Sequence, residues 1–157
     1  MALITPRQVI ELAFNDSEFV TSDVISNSDI TTAELRYLKP ILGYKLYTKL
    51  RSENRANVLI DEFLAPAIAI ATRLITLPML AVKSGRFGVS VLQTTNQKSA
   101  NESELSSIRR SLLLKLRMHQ RLLTDYLEDN RELYPEYMSH QNSLKRCSIS
   151  GGIVQDR

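Results

Sequence analysis

Between Leu64 and Val82 the chain runs for nineteen residues with a single charge, Arg73. A helix this apolar belongs in a bilayer or wholly inside a protein, because it has no polar face to turn to water. Its length permits a membrane span. Against that reading, Pro66 and Pro78 interrupt it, five of its residues are alanines, and Arg73 stands at its centre, where charge in hydrocarbon is costly. The segment is therefore expected to be a buried central helix, and the rest of the chain must supply the surfaces that cover it. With 157 residues, 43% of them hydrophobic, one domain can do this. A chain of that size buries roughly two-thirds of its unfolded surface. The lone Cys147 cannot form an internal disulfide, so stability rests on packing.

The clearest covering element lies near the C-terminus. From a cap at Asn101 or Ser103 to about Asn130, the residues Leu105, Ile108, Leu112, Leu116, Leu123, Tyr126 and Leu127 fall within roughly a 100° arc at helical spacing. Pro135 ends any continuation. At the other end Thr5-Pro6 signals a helix start running to about Phe14, with Val9, Ile10, Ala13 and Phe14 as its apolar stripe. Asn15 to Ser22 reads as a polar loop around Phe19 and Val20. Ser28 or Asp29 then caps a segment in which Ile30, Ala33, Leu35, Leu38, Leu42, Leu46 and Leu50 recur at mostly helical intervals. Pro40 and Gly43 divide it, so two helices hinged at Lys39–Gly43 are expected, the second from about Tyr44 to Arg51. Asn54 to Val82 should be helical with breaks or kinks near Pro66 and Pro78.

From Ser84 to Asn101 the apolar periodicity stops. Gly85, Gly88 and the β-prone run Val89–Thr94 predict a projecting loop or β-hairpin over 84–101, with Phe87, Val89 and Val91 as contact residues of this arm. The polar stretch 139–157 reads as an extended or flexible tail. Its apolar end, Ile153 and Val154 after Gly151-Gly152, could dock on a neighbour as an added strand. The expected architecture is mainly all-α: a helical bundle over residues 1–138 with a long C-terminal amphipathic helix, an arm at 84–101 and a tail.

A formal net charge of +3 conceals banding. Met1–Leu35 sums to −5, Arg36–Arg55 to +5, Lys83–Arg121 to +6 and Leu122–Glu136 to −4. Segregated charge of this kind orients partners, and the acidic zone of one copy can meet the basic zone of another. Two constellations stand out. Arg110, Arg117 and Arg121 fall within about 40° of one another, away from the leucine arc. They form either a surface for phosphates or acidic protein, or a solvated face partly neutralised by Asp125 and Glu128. Tyr37, Tyr44 and Tyr47 lie beside Lys39, Lys45 and Lys49, a mixture frequent at protein interfaces and equally compatible with half-buried core tyrosines.

Signals of catalysis are missing from the sequence. His119, His140 and Cys147 make no recognisable metal set, and His119 falls inside the leucine arc as a core imidazole. Asp61-Glu62 and Glu128-Asp129 diverge by about 100° on a helix, so neither forms a paired site. The glycines match no phosphate-loop spacing, and no Gly-x-Ser-x-Gly elbow occurs. The expectation is a non-enzymatic chain without cofactor or metal. No secretory leader is visible at Met1–Ser22, so synthesis in the cytoplasm is expected.

The run Asp29-Ile30-Thr31-Thr32-Ala33-Glu34-Leu35-Arg36-Tyr37-Leu38-Lys39-Pro40-Ile41-Leu42-Gly43-Tyr44-Lys45-Leu46-Tyr47, after the Thr5-Pro6 opening, resembles the small helical head-to-tail connector proteins of tailed bacteriophages, most of all the ring or adaptor proteins of crAss-like phages. The Gly88-centred segment, Glu132-Leu133-Tyr134-Pro135-Glu136-Tyr137 and the Gly-Gly-hydrophobic tail extend the likeness. The resemblance implies a structural virion protein in the neck. It would form a ring, commonly twelvefold, that extends the DNA channel between portal and tail and docks the next tail ring. The implied partners are further copies of itself, the portal or a neighbouring ring protein, and channel DNA without sequence specificity, with no membrane. On that reading Tyr37, Tyr44, Lys45, Tyr47 and Lys49 are candidate subunit contacts. Arg110, Arg117 and Arg121 would face the channel or a neighbour, and Met1–Leu35 of one copy would meet a basic band of the next. A nucleic-acid-binding accessory protein and a small cytoplasmic helical regulator are the alternatives.

Overall fold

A computed structural model describes residues 2–14, 20, 22–53, 58–80, 82–85, 88–91, 102–145, 148–150 and 153–155. The protein is mostly helical. Helix α1, Pro6–Ala13, starts as the sequence predicts. Thr5 caps it by accepting from the Gln8 N–H while the Gln8 side chain accepts from the Thr5 N–H. Helix α2, Asn27–Ala33, is capped by Ser26 rather than Ser28 or Asp29. Ser26 and Asp29 exchange the same pair of bonds, so Asp29 is the far half of a capping box and not the cap itself.

Two prolines are accommodated by one device. Before Lys39-Pro40 the helix widens to a π-turn over Glu34–Leu38, in which the Lys39 N–H reaches back to the Glu34 carbonyl. Before Ala65-Pro66 it widens again over Leu59–Leu64, with the Ala65 N–H reaching the Ile60 carbonyl. A proline has no N–H for the carbonyl four residues back and its ring crowds that carbonyl; a wider turn immediately upstream relieves both problems without ending the helix. Pro40 and Pro66 are therefore carried by bulges and Pro78 sits inside the last turn of its helix, while the hinge expected over Lys39–Gly43 is present at its Gly43 end. The true break in α3, Lys39–Glu53, is at Gly43, whose φ of 78° and ψ of 167° lie where side chains are not tolerated.

Helix α4, Ala65–Leu80, is the centre of the molecule. Ala65, Ala67, Ile68, Ala69, Ile70, Ala71, Thr72, Leu74 and Thr76 are buried beneath α1, α2 and α5 (Glu102–Asp129). Residues Leu59–Leu80 would pass for a membrane span by length and hydropathy; 56% of their apolar window is buried in the fold, and Met79 near the end is exposed. The alanines let the neighbouring helices approach, while Thr72 and Thr76 return their hydroxyls to the carbonyls of Ile68 and Thr72. Arg73, the one charge, lies over the Phe14 ring at 4.6 Å and donates to the Ala13 carbonyl at the end of α1, where a cation meets the negative end of the helix.

A second charge is held inside. Glu34 is fully buried and accepts from the Leu3 N–H at 2.7 Å and the Tyr47 hydroxyl at 3.0 Å. Burial raises its pKa above the ordinary carboxylate value, against the pull of those two bonds and of the nearby Arg51 charge. The same burial, with the Glu34 charge beside it, pushes the Tyr47 hydroxyl up to about 12. The pair ties the chain start to the π-turn and α3.

Among the described residues outside the helices, the backbone forms two antiparallel ladders. Val82–Gly85 (β1) pairs with Gly88–Val91 (β2), and Ser148–Ser150 (β3) with Ile153–Gln155 (β4). The positions Val89, Val91, Ile153 and Val154 lie on these strands; Phe87 and residues 92–100 fall outside the described residues.

Candidate interaction surface

Helix α5 presents three lengthwise stripes. Leu112, Leu116, Leu123 and Leu127 are buried against the core, as the arc predicts, whereas Leu105 is half-buried and Ile108 exposed in its first turns. Arg110, Arg117 and Arg121 are exposed, and none of them has an ion-pair partner among the described residues. The third stripe went unnoticed in the sequence. Leu114, Met118 and Leu122, at intervals of four, are 60%, 53% and 49% exposed and form an apolar ridge beside the arginines. Its signal was available: three large apolar residues four apart, outside the arc that the core accounts for.

Hollows flank the ridge on both sides. A groove of about 730 Å³ is lined by Arg117, Gln120, Arg121, Thr124, Leu144 and Lys145, with Asp125 at its edge. Gln120 is buried and donates to the Tyr37 carbonyl at 2.9 Å, which fastens α5 to the first π-turn. On the other side a hollow of about 460 Å³ lies between α1, α4 and α5, with Leu12, Ile108, Met118, Arg73 and His119 in its walls. His119 is thus a half-buried wall residue and not the core imidazole expected. Burial lowers its pKa, favouring the neutral ring.

The tyrosine and lysine set does not form one surface. Tyr47 is only 4% exposed and bound to Glu34, so it is a core residue and, against its reading as a subunit contact, offers almost no surface. Tyr37 is half-buried, with the Arg36 guanidinium 5.5 Å from its ring centre. Tyr44 is 67% exposed over a shallow hollow that Leu35, Lys39 and Gln141 share, and Lys45 beside it is exposed. Lys49 donates to Glu136 at 2.6 Å, and that pairing holds the Glu136 carboxyl below its usual range. Lys49 is therefore half-exposed but engaged by the fold, and of this set Tyr44 and Lys45 are the exposed members.

Beyond α5 the chain turns back and is locked in place. Glu128 accepts from Tyr137 at 3.1 Å, from Ser139 at 2.6 Å and from Lys145 at 2.7 Å, and it pairs with Arg131. Asn142, fully buried, donates to Thr124 and Tyr137 and accepts from the Leu144 N–H. The Ser143 N–H reaches the Pro40 carbonyl at 3.0 Å. Residues 139–145, assigned from sequence to the tail, are consequently fastened to α5 and α3. The reason is a network of side chains whose partners are far apart in the chain.

At this end of α5 an aromatic cluster joins two segments. Phe63 stacks on Tyr126 with ring centres 4.2 Å apart, and Tyr134 lies 6.1 Å from Tyr126. The cluster brings the segment bearing the exposed Val58 (54%), Asp61 and Glu62 beside the end of α5 and the turn after it, which bear the exposed Asp129, Glu132 and Leu133 (67%). Along α5, then, a basic half bearing an apolar ridge gives way to an acidic end bearing apolar residues of its own. No group of three His, Cys, Asp or Glu residues able to hold a metal occurs among the described residues.

No curated protein and no solved structure matches the chain. Residues 38–146, from the first π-turn through α3, α4 and α5 to the end of the Asn142 lock, match DUF6712, a family of unknown function, and the chain belongs to that family.

Proposed function

We propose that this protein is a structural component of a phage virion, one subunit of a ring in the neck between portal and tail. The observation that carries the reading is the exposed ridge of Leu114, Met118 and Leu122, three large apolar residues in a row on one helix, flanked by Arg110, Arg117 and Arg121. Large apolar residues in a row on a surface are characteristic of a protein contact, and arginines at its margin suit an acidic counterpart. The connector resemblance of Asp29–Tyr47 supplies the identity of the assembly. On this reading the arm at 84–101 and the tail ending in Ile153 and Val154 reach adjacent copies. The β1–β2 and β3–β4 pairings are compatible with added-strand contacts. The protein works by holding a channel open and offering a platform, with no covalent chemistry. Quantitative mass spectrometry of purified virions tests it: the chain should be present in the copy number of a neck ring, and its absence from particles would overturn the proposal.

A second reading has one observation in its favour. Three guanidiniums on a single exposed face also suit a polyphosphate backbone. It predicts binding to duplex DNA that weakens steeply with salt. Titration at two ionic strengths separates the readings, since a ring subunit needs its copies around the DNA before its arginines act together.

A further inference from the structure

We infer that the ridge of Leu114, Met118 and Leu122 is the docking surface for a second copy of this same chain, which presents its acidic pole of Val58, Asp61, Glu62 and Leu133. The inference rests on the ring reading only in requiring self-association, and it names the two faces that meet. The argument begins with what the ridge excludes. Were two ridges to pack on each other around a twofold axis parallel to α5, the arginine flank of each helix would face the other flank of its mate, which carries the exposed Lys115 and is also basic. Around an axis across α5, the same flank of each helix would face its mate. Arg110, Arg117 and Arg121 of one copy would then lie against the same three arginines of the other. Like charges brought together at a contact oppose it by several kcal/mol. The symmetric contact is therefore disfavoured, and the ridge calls for a counterpart that is apolar at its centre and acidic at its edge.

The chain carries such a counterpart. Val58, Asp61 and Glu62 are exposed at i, i+3 and i+4 on one side of the helical segment leading into α4, and the Phe63–Tyr126–Tyr134 cluster brings the turn bearing Glu132 and Leu133 beside that segment. Apolar residues can bury one another while guanidiniums pair with carboxylates around them. The two faces are distinct and sit at different positions along α5. A contact of this kind is heterologous: it propagates from copy to copy, closing as a ring or running on as a filament. The acidic Met1–Leu35 zone is the poorer counterpart. Of its described acids, Glu11 pairs with Arg7, Glu34 is buried and Asp29 caps α2, which leaves Asp23 exposed without a neighbouring acid to match the Asp61–Glu62 pair. Of the two lysines in the Arg36–Arg55 basic band named as candidate contacts, Lys49 is paired with Glu136 and Lys45 alone is exposed.

Sedimentation velocity of the full chain decides the matter. At low salt the native chain should associate, and Arg117→Glu with Arg121→Glu should weaken association at least about tenfold, as should Asp61→Lys with Glu62→Lys. These side chains are exposed, so circular dichroism should be unchanged in both double variants. The decisive arm mixes them: each double variant alone should remain monomeric, while an equimolar mixture should associate, because each then offers the charge the other has lost. A native chain that stays monomeric at high concentration, or an Asp61→Lys/Glu62→Lys variant that associates as the native chain does, would overturn the inference. Neither result bears on the presence of the chain in virions, which mass spectrometry of particles reads separately.

Discussion

Replacing Gly43 by alanine should destabilise this protein, although the same change in an ordinary helix would stabilise it. In a helix interior alanine is favoured over glycine by roughly 0.5–1 kcal/mol, largely by restricting the unfolded chain. At Gly43 the backbone has φ 78° and ψ 167°, a region essentially reserved for glycine, and holding another residue there costs on the order of 1–3 kcal/mol. The added Cβ would also stand 3.2 Å from the Gln141 side-chain oxygen, tighter than ordinary contact. Gln141 is exposed and the oxygen is the far end of its flexible side chain, so this contact can be relieved and the backbone conformation carries most of the cost. The net expectation is a loss of about 1–3 kcal/mol, or a fall in Tm of roughly 3–10 °C for a chain of this length. Thermal unfolding followed by circular dichroism at 222 nm measures it. Gly43→Ala in a Gln141→Ala background isolates the backbone term, since that removes the contact and leaves the strain. An unchanged or raised Tm in both backgrounds would refute the reasoning and return the segment to a continuous helix.

Glu34→Gln should flatten the acid-to-neutral limb of the stability profile. Because burial raises the folded pKa of Glu34, its contribution is greatest below the ordinary carboxylate pKa of 4.5 and is lost as pH rises through the elevated folded value; urea titrations across that range read the slope, and a slope identical to the native chain's would contradict the assignment. Tyr47, pushed up to about 12, gives a contribution fully present below pH 10 and lost as pH rises towards 12. Tyr47→Phe should blunt that alkaline loss, seen as a smaller difference between urea midpoints at neutral and alkaline pH. Asn142→Ala leaves the Leu144 N–H and the Tyr137 hydroxyl short of a partner, so it should cost about 1–3 kcal/mol and speed proteolytic cleavage within 139–145, with native cleavage rates counting against the lock. Leu116→Ala, at a nearly inaccessible position facing α4, should cost about 2–5 kcal/mol in denaturant unfolding, and a loss below 1 kcal/mol would place that face elsewhere.

What could be read from the sequence were the features that a single period expresses. The apolar stretch around Arg73 is the central helix because no arrangement other than burial suits it in a folded body, and Leu112 to Leu127 pack on the core because their spacing admits one face. The Thr5 cap was legible because its partners lie three residues apart. The features that escaped depend on groups distant in the chain. Glu34 reads as one more helix-surface acid until Leu3 and Tyr47 arrive, and Tyr47 passes for an interface residue for the same reason. Asn142 belongs to a polar stretch that looks unstructured until Thr124 and Tyr137 surround it. The π-turns lay between: Pro40 and Pro66 announced a disturbance, but whether a helix breaks or widens is settled by how much packing waits on the far side. Of the site residues, the arginine stripe was visible and the ridge beside it was not, since Leu114, Met118 and Leu122 mean little until the core is seen to be complete without them.

A reconstruction of the virion neck by cryo-electron microscopy tests the central claim most directly. It should show a ring of these helical bodies between portal and tail, with the Leu114–Met118–Leu122 ridge of each copy against the Asp61–Glu62 pole of the next. A neck built without this chain, or a ring whose copies meet while both surfaces stay open to solvent, would contradict it.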